Sequence, residues 1–462
     1  MAQRRHHTAA KGRLPLATRA LYAFTQVLAH LLLPLAPLLV LPRIRREPDF
    51  LRHLPHRFGL GPTGSGGAVW VYAASLGEIR AASPLIERLR AAGHAVLISY
   101  QTPAGLNAGR ALFAADPGIT HRYVPLDLFW AVRLFLRRAR PAMLIVLEVE
   151  IWPAMLIESA RAGVPLVLAN GNLVQRVPGQ RRNWLKRQLL LLYRLFDHIF
   201  TRTEAFATRY AEIGVPRERI SVVGELKYDQ RIDPADPALG AALRLRWTGE
   251  DAQVLMLAST VHDEEPALLE MVARLVADNP RLRVLWVPRS PQRFDAVAQA
   301  LEAKGLTVLR RSALGPKMAG VLATDARVML GDSLGEMNRY YAMADLVFVG
   351  ASLGKLGGHN IMEPMTLGKP VVMGPSTWGI AFDAEPAARA GAFESLPEAQ
   401  ALEARIRSLL ADPATLREMA TRAAGFARAR TGASARTMAG LAALLPPIIQ
   451  PPADTPSATP SY

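Results

Sequence analysis

Residues 69–92 read VWVYAASLGEIRAASPLIERLRAA, and this stretch decides the fold. Its first part, residues 69–75, is a largely apolar run typical of a strand buried on both faces of a parallel sheet. Residues 80–92 have helical periodicity. Further runs of both kinds follow at residues 95–100, 143–149, 152–162, 164–170, 198–202, 203–213 and 220–224. Buried strands joined by helices predict a doubly wound α/β domain.

The same alternation returns in the second half of the chain. Residues 229–252 are rich in proline and glycine, and we interpret them as a connection between domains. Beyond them we expect strands at residues 254–260, 284–288, 306–310, 328–330, 346–349 and 370–374, and helices at residues 264–277, 293–303, 402–411 and 414–430. Two α/β domains facing a cleft offer ligand sites at the carboxyl ends of both sheets.

The expected organisation has four parts. A basic N-terminus with an apolar segment is followed by two α/β domains and a disordered tail rich in Pro, Ser and Thr. The expected ranges are 1–62, 63–230, 231–445 and 446–462.

Composition and charge narrow the class of protein. The 462 residues contain 55 Lys and Arg, 39 Asp and Glu, and no Cys, which excludes disulfide scaffolds and thiolate metal sites. Hydrophobic residues make up 50% of the chain, which is too many for a disordered protein. Aromatic residues are only 7%, which disfavours a nucleic-acid groove of interleaved basic and aromatic residues.

Positive charge is concentrated around one apolar segment. Residues 20–41 carry no charge, and basic clusters flank them on both sides. A cleaved signal peptide is disfavoured because no small-residue cleavage site follows. A membrane-spanning anchor, a helix in the membrane interface and a buried helix of a soluble protein stay open, and we expect membrane attachment.

Two groups of carboxylates follow predicted strands in the first half. Glu78 lies in Ser75–Glu78 (SLGE), where burial in a cleft raises a carboxyl pKa toward that of a general base. Glu in a first helical turn also often serves only to complement the helix dipole. Glu148 and Glu150 follow another strand, and alternation along an extended segment places both on one side. Strand-end charge before a helix-starting proline is the competing interpretation.

Three loops in the second half suit an anion. Arg289 and Arg293 lie in a proline-stiffened loop after a strand, which is a suitable clamp for phosphate oxygens. Residues 331–336 (GDSLGE) form a strand-to-helix turn, and residues 350–364 (GASLGKLGGHNIMEP) combine glycines with a lysine before a helix. Glu363 is placed to accept hydrogen bonds from a ribose diol. Together the loops indicate a substrate that contains a nucleotide.

These motifs, in this order, resemble those of the 3-deoxy-D-manno-octulosonic acid (Kdo) transferases of lipopolysaccharide synthesis. The resemblance extends from about residue 20 to 430, and its motifs are residues 75–78, 148–153, 224–229 (GELKYD), 258–265 (ASTVHDEE), 288–294, 335–345 (GEMNRYYAMAD) and 350–375.

The resemblance implies a GT-B glycosyltransferase with two Rossmann-like domains and an N-terminal membrane-associated helix. It implies inverting transfer of Kdo from CMP-Kdo to the lipid A precursor at the cytoplasmic face of the bacterial inner membrane, without a metal or other cofactor. Membrane lipids are expected partners and nucleic acid is not. The residues implied are Glu78 as base, Arg289, Gly335, Glu336, Asn360 and Glu363 around CMP, and Ser75, Glu148, Glu150 and Lys227 as acceptor or Kdo contacts.

Six positions depart from the family pattern, and two alternatives follow from them. One of the six is Val174, where the family has Ser. Val149, Asn172, Glu225, Ser290 and Ser376 stand where the family has Thr, Arg, Asn, His and His. A related GT-B enzyme with another donor or acceptor is one alternative. A non-catalytic, membrane-attached protein that binds anionic ligands is the other.

Overall fold

The computed structural model describes residues 14–35, 50–64, 66–148, 150–173, 183–315 and 325–445. Contacts divide the chain into two compact units, residues 1–230 with 431–462 and residues 231–430. The expected disordered tail and the basic cluster of residues 1–13 lie outside the described residues.

The first unit is built on a parallel sheet of seven strands in the order β3-β2-β1-β4-β5-β6-β7. The strands are β1 (Val69–Tyr72), β2 (Val96–Tyr100), β3 (Ile119–Tyr123), β4 (Met143–Leu147), β5 (Leu166–Gly171), β6 (His198–Thr201) and β7 (Ile220–Val222).

Burial on both faces explains why these strands read as continuous apolar runs. In β1, Trp70 and Tyr72 belong to the core on one face of the sheet. Val69 and Val71 belong to the core on the other face. Because successive side chains of a strand point to opposite faces, helices must cover both.

Helices flank this sheet and connect its strands. They are α1 (Leu16–Leu32), α2 (Phe50–Arg57), α3 (Leu76–Ala91), α4 (Pro103–Leu112), α5 (Phe129–Ala139), α6 (Pro153–Arg161), α7 (Trp184–Leu190) and α8 (Glu204–Glu212), with α17 (Ala433–Leu441) returning from the end of the chain. A 3₁₀ helix, Leu226–Asp229, is the last element of the first unit before the chain enters the second unit.

The second unit repeats the architecture with a parallel sheet in the order β10-β11-β9-β8-β12-β13-β14. Its strands are β8 (Gln253–Thr260), β9 (Leu282–Pro288), β10 (Val308–Arg310), β11 (Val328–Leu330), β12 (Leu346–Val349), β13 (Val371–Met373) and β14 (Phe393–Ser395). Its helices are α9 (Ala235–Thr248), α10 (Glu265–Asp278), α11 (Phe294–Ala303), α12 (Met337–Met343), α13 (Met362–Thr366), α14 (Ala381–Arg389), α15 (Ala399–Ala411) and α16 (Pro413–Arg430). The predicted doubly wound α/β class is therefore confirmed.

Helix α9 corrects the interpretation of residues 229–252 as a connection. Its proline and glycine residues serve the helix, since Pro234 is the N-cap and Gly249 the C-cap with φ of 70°. Gly240 lets α9 approach α12 closely, because a Cβ there would lie 2.2 Å from the Arg339 carbonyl oxygen. These proline and glycine residues therefore mark the ends of a helix and a close contact between helices, and not a linker.

The end of the chain also differs from the expected ranges. Residues 431–445, expected in the C-terminal domain, lie in the first unit. Ala433 and Leu441 of α17 enter the core beside α3. The Asp229 carboxylate accepts hydrogen bonds from the backbone of Gly432 at 2.5 Å and of Ser434 at 2.6 Å. The burial of these apolar side chains and these hydrogen bonds hold residues 431–445 in the first unit.

Helix α1 includes the first part of the apolar segment of residues 20–41, whose last residues lie outside the described part. Its buried positions are the polar or amphipathic Thr18, Tyr22 and Gln26. Phe24 and Leu31 are exposed, by 64% and 70%. No described helix has the length and apolarity needed to cross a membrane.

Candidate active site

The candidate site in the first unit lies at the carboxyl edge of the sheet. β1 is paired with β4, β4 with β5, and β5 with β6. Segments that leave neighbouring parallel strands start at the same edge. The structure therefore brings together Glu78 after β1, Glu148 and Glu150 after β4, and Arg202 after β6.

Glu78 lies in the first turn of α3 and is buried, with 9% of its surface exposed. One carboxylate oxygen accepts a hydrogen bond from the Ala74 backbone N–H at 2.8 Å. The other accepts one from the Ser75 hydroxyl at 3.1 Å. Burial, together with the charges of Glu148 and Glu150 and against the effect of these hydrogen bonds, raises the pKa of Glu78 to about 7. A carboxylate with this pKa is suited to general base chemistry.

Glu148 and Glu150 both act on Glu78, but strand alternation is not the reason. β4 ends at Leu147, and Glu148 has φ of 62°, which lies in the left-handed region. The alternation argument was therefore wrong, because the chain turns at Glu148 instead of remaining extended. Glu150 accepts a hydrogen bond from the Trp152 indole N–H at 2.8 Å. Pro153 starts α6, as the sequence pattern predicts.

Sequence analysis missed Arg202, which joins two carboxylates of this edge. Its guanidinium lies 3.0 Å from Glu148 and 2.7 Å from Glu225. Glu225 is 2% exposed and also accepts a hydrogen bond from the Asn170 side chain at 2.9 Å. The available signal was a cation directly after a buried strand. Glu225, one of the departures from the family pattern, therefore has an internal cation as partner.

Ser75 and Lys227 have different surroundings. The Ser75 hydroxyl is the N-cap of α3 and accepts a bond from the Glu78 backbone N–H at 3.3 Å. It therefore positions Glu78. Lys227 lies half-buried in the 3₁₀ helix, with its ammonium 5.3 Å from the centroid of the Tyr228 ring.

In the second unit, the glycine-rich loop is held by an acidic side chain that sequence analysis did not single out. Glu264 is 2% exposed, and its carboxylate accepts hydrogen bonds from the N–H groups of Ala351, Ser352 and Leu353 at 2.7, 3.1 and 3.2 Å. An internal carboxylate therefore occupies these three amides, which are not available to a ligand anion. Gly350 is required here, since a Cβ would lie 2.4 Å from the Glu264 carboxylate.

Arg289 and the helix-start residues lie close to one another. Arg289 follows β9 and is exposed. Burial lowers the pKa of His359, and the nearby Arg289 charge lowers it further. The Asn360 side-chain amide donates to the Glu363 carboxylate at 3.0 Å, and its oxygen accepts from the Met362 N–H at 2.9 Å. A cation and a partly free carboxylate are therefore available to a phosphate and a diol.

Gly335 and Glu336 lie in the turn before α12. Gly335 has φ of 82°, which favours glycine. The Glu336 carboxylate accepts hydrogen bonds from Arg311 at 2.7 Å and Arg339 at 2.6 Å. Burial favours a higher pKa for Glu336, but hydrogen bonds from Ser333 and Arg311 and both guanidinium charges bring its pKa below the usual range. Glu336 is therefore ionised, and side chains of the protein itself already provide its hydrogen-bond partners.

Among the residues that the structure describes, no group of three or more His, Asp or Glu is arranged to hold a metal ion. The described side chains at both sheet edges are organised by protein hydrogen bonds and ion pairs.

Comparisons with known proteins agree with this geometry. Residues 52–230 match the family model described as 3-deoxy-D-manno-octulosonic-acid transferase, and residues 322–426 match that of glycosyl transferases group 1. The 3-deoxy-D-manno-octulosonic acid transferase of Bordetella pertussis is 35% identical over 398 residues, which cover 84% of this chain and 90% of that protein. The chain belongs to the 3-deoxy-D-manno-octulosonic acid transferase family. It is a glycosyltransferase.

Two solved structures show the fold of this Kdo transferase family member. A glycosyltransferase from Rickettsia africae superimposes with a TM-score of 0.55 at 12% identity, covering 82% of this chain and 99% of that one. The UDP-GlcNAc 2-epimerase from Neisseria meningitidis superimposes with a TM-score of 0.56 at 16% identity, covering 81% and 99%. These two structures and the glycosyl transferases group 1 match confirm the GT-B class. The family model and the Bordetella pertussis relative confirm the family resemblance.

Proposed function

We propose that this enzyme transfers Kdo from CMP-Kdo to the lipid A precursor with inversion, using Glu78 as the base. The observation that carries the proposal is the burial of Glu78 beside Glu148 and Glu150, with a pKa of about 7. At neutral pH this carboxyl is partly ionised yet still basic enough to take a proton from a sugar hydroxyl.

In the proposed reaction the carboxylate of Glu78 takes up the proton that the acceptor hydroxyl loses. The acceptor hydroxyl oxygen forms a bond to the anomeric carbon of Kdo, and its proton passes to Glu78. The bond from that carbon to the CMP phosphate breaks, and CMP leaves with the electron pair. Donors aimed at the leaving phosphate stabilise its growing charge, which typically contributes a factor of about 10² to 10³ in rate per key group.

The second unit supplies groups that suit CMP. Arg289 is an exposed cation that suits the phosphate, and Glu363 is an exposed acceptor that suits the ribose hydroxyls. Asn360 orients the Glu363 carboxylate through their 3.0 Å hydrogen bond. In this proposal Gly335 allows the turn beside the nucleotide, and Glu336 acts by holding that turn through Arg311 and Arg339.

The first unit supplies groups for the sugars. Kdo is an acid, and Lys227 is a half-buried cation that suits its carboxylate. Glu148 and Glu150 are half-exposed and suit hydroxyl groups of the acceptor or of Kdo. Ser75 contributes by holding Glu78. The reaction requires no metal or other cofactor in this proposal.

We further propose that α1 lies in the interface of the inner membrane, on its cytoplasmic face. The helix turns Thr18 and Gln26 inward and leaves apolar side chains outward, which is the reverse of a soluble surface helix. The exposed side chains are Leu16, Phe24, Val27, Leu28, Leu31 and Leu32. An interfacial helix keeps the enzyme at the surface from which a lipid acceptor is presented.

The test is incubation of the purified protein with CMP-Kdo and a tetra-acylated lipid A precursor, reading the product mass for each added sugar. Glu78→Gln should abolish the mass gain while CMP binding persists. The matched control is Glu87→Gln, an exposed position of the same helix, which should retain turnover. CMP release without a mass gain would refute this acceptor, and full turnover in Glu78→Gln would refute the base.

A further inference from the structure

A cavity of about 780 Å³ opens at the opposite, amino edge of the first unit's sheet. It is lined by the residues that precede β1, β4 and β5 and by the C-terminal ends of α5 and α6. Only β4 separates Ala142, in the cavity wall, from Glu148 in the candidate active site. At about 3.3 Å per residue, the cavity lies roughly 20 Å from that site.

Four arginines line the cavity, together with one carboxylate. Arg133 and Arg161 each lie 2.6 Å from the Glu158 carboxylate, which is 2% exposed. Arg137 and Arg140 are exposed and form no ion pair with any residue that the structure describes. The lining therefore has a surplus of positive charge.

The arrangement of these arginines is unfavourable for the stability of the helix alone. Arg133 and Arg137 are four residues apart on α5, and like charges at this spacing destabilise a helix. A helix C-terminus does favour cations, which accounts for part of the pattern. The same effect applies to Arg161, which is the last residue of α6 and pairs with Glu158. What remains is the uncompensated charge of Arg137 and Arg140 beside an open cavity, and this charge suits an anionic ligand.

The cavity is connected to α1 by direct contacts. The Tyr22 hydroxyl donates to the Glu158 carboxylate at 2.9 Å. The Arg161 guanidinium lies 5.7 Å from the centroid of the Tyr22 ring. The cavity wall is therefore attached to the buried face of the helix whose outward face is apolar.

We propose that this cavity binds the phosphate group of an anionic phospholipid headgroup, separately from the transfer site. Arg137 and Arg140 bind the phosphate oxygens, since a guanidinium matches them with paired donors. Arg133 and Arg161 are held by Glu158 and shape the wall. A phospholipid is favoured over free phosphate because α1 adjoins the cavity and presents apolar side chains on its other face.

The experiment measures binding of the full chain to vesicles, without donor or acceptor, so its failure leaves the proposed transfer reaction untouched. Vesicles of phosphatidylcholine with phosphatidylglycerol are compared with phosphatidylcholine alone. The variants are Arg137→Gln/Arg140→Gln and Arg137→Lys/Arg140→Lys. The control is Arg281→Gln/Arg389→Gln, which removes the same charge from exposed positions of the second unit.

The Gln pair should bind phosphatidylglycerol vesicles roughly thirtyfold more weakly, at about 1 kcal/mol for each arginine near an anionic surface. The Lys pair should lose at least about threefold, because an ammonium lacks the paired donors of a guanidinium. The control should match the wild type. Circular dichroism checks that both variants are folded.

Two results would overturn the proposal. Equal vesicle binding by the Gln pair and the control would exclude the cavity, and wild-type binding by the Lys pair would reduce it to a diffuse charge effect. Thermal unfolding with inorganic phosphate distinguishes the source of the phosphate. Stabilisation of the wild type but not of the Gln pair, with unchanged vesicle binding, would assign the cavity to free phosphate and reject the lipid.

Discussion

The carboxylate of Glu264 accepts a 2.7 Å hydrogen bond from the backbone N–H of Ala351, which lies 87 residues further along the chain. Ala351 has φ of 59°, in the left-handed region that few residues other than glycine adopt. The same carboxylate holds the next two N–H groups of the loop. A buried anion thus stabilises a strained backbone segment near the proposed CMP site.

Glu264→Ala should destabilise the protein and weaken donor binding together. The substitution leaves several buried N–H groups without an acceptor, at a cost of about 2–4 kcal/mol. Chemical denaturation and titration with CMP check this result. Glu264→Gln keeps an acceptor oxygen and should retain more of both properties. Equal behaviour of the Ala variant and the wild type would show that the loop does not depend on Glu264.

The pH dependence of transfer should report Glu78. Because burial raises its pKa to about 7, kcat/KM should rise as pH increases toward 7 and level off above it. Glu78→Gln should lower the rate at least about 10²-fold and remove this rise. A wild-type profile that is flat between pH 5 and 8 would contradict the assignment.

Glu78 should also lower stability at alkaline pH. Its pKa of about 7 in the folded protein exceeds the ordinary value of 4.5, so the folded state binds the proton more tightly than the unfolded state. The free energy of unfolding should therefore fall as pH rises from 4.5 to 7. Glu78→Gln should remove most of this fall, which makes the variant more stable than the wild type at pH 8 by about 1–3 kcal/mol. Denaturation at pH 5 and pH 8 measures it, and a larger fall in the variant would contradict the prediction.

Arg202→Ala should destabilise the first unit. It leaves Glu225, which is 2% exposed, as an unpaired buried charge, at a cost of about 3–5 kcal/mol. Adding Glu225→Gln should recover part of the loss, because the charge is then removed. Urea unfolding of the single and double variants checks the pairing. No recovery in the double variant would mean that Glu225 is not the source of the cost.

Arg289→Ala should weaken CMP binding with little change in stability. Hydrogen bonds to a charged group contribute about 1.5–3 kcal/mol, which corresponds to roughly tenfold to 150-fold in affinity. Calorimetric titration measures it. Arg281→Ala, an exposed position before the same strand, is the control and should bind CMP normally. A loss of equal size in both variants would reject a specific contact.

Local patterns predicted much of the fold and failed where polar residues are buried. The apolar runs at residues 69–75 and 143–149 became β1 and β4 because both faces of each strand are covered. β3 was missed because it contains Arg122, which is fully buried. Its guanidinium donates to the carbonyl oxygens of His56 at 2.9 Å and Leu60 at 2.7 Å. Carbonyl groups far along the chain thus compensate the burial of the Arg122 charge, and they leave no periodic pattern in the sequence around β3.

The sequence by itself determined most of the buried strands, several of the charged residues that follow them, and the family to which the motifs belong. Only the tertiary structure decided what those charges contact. Glu78 remained a candidate base because burial and two nearby carboxylates raise its pKa, whereas Glu336 is held ionised by Arg311 and Arg339. In the loop after Gly350, the carboxylate of Glu264 accepts the backbone hydrogen bonds. The reason is that ion pairing and desolvation depend on neighbours far along the chain, whereas periodicity depends only on adjacent residues.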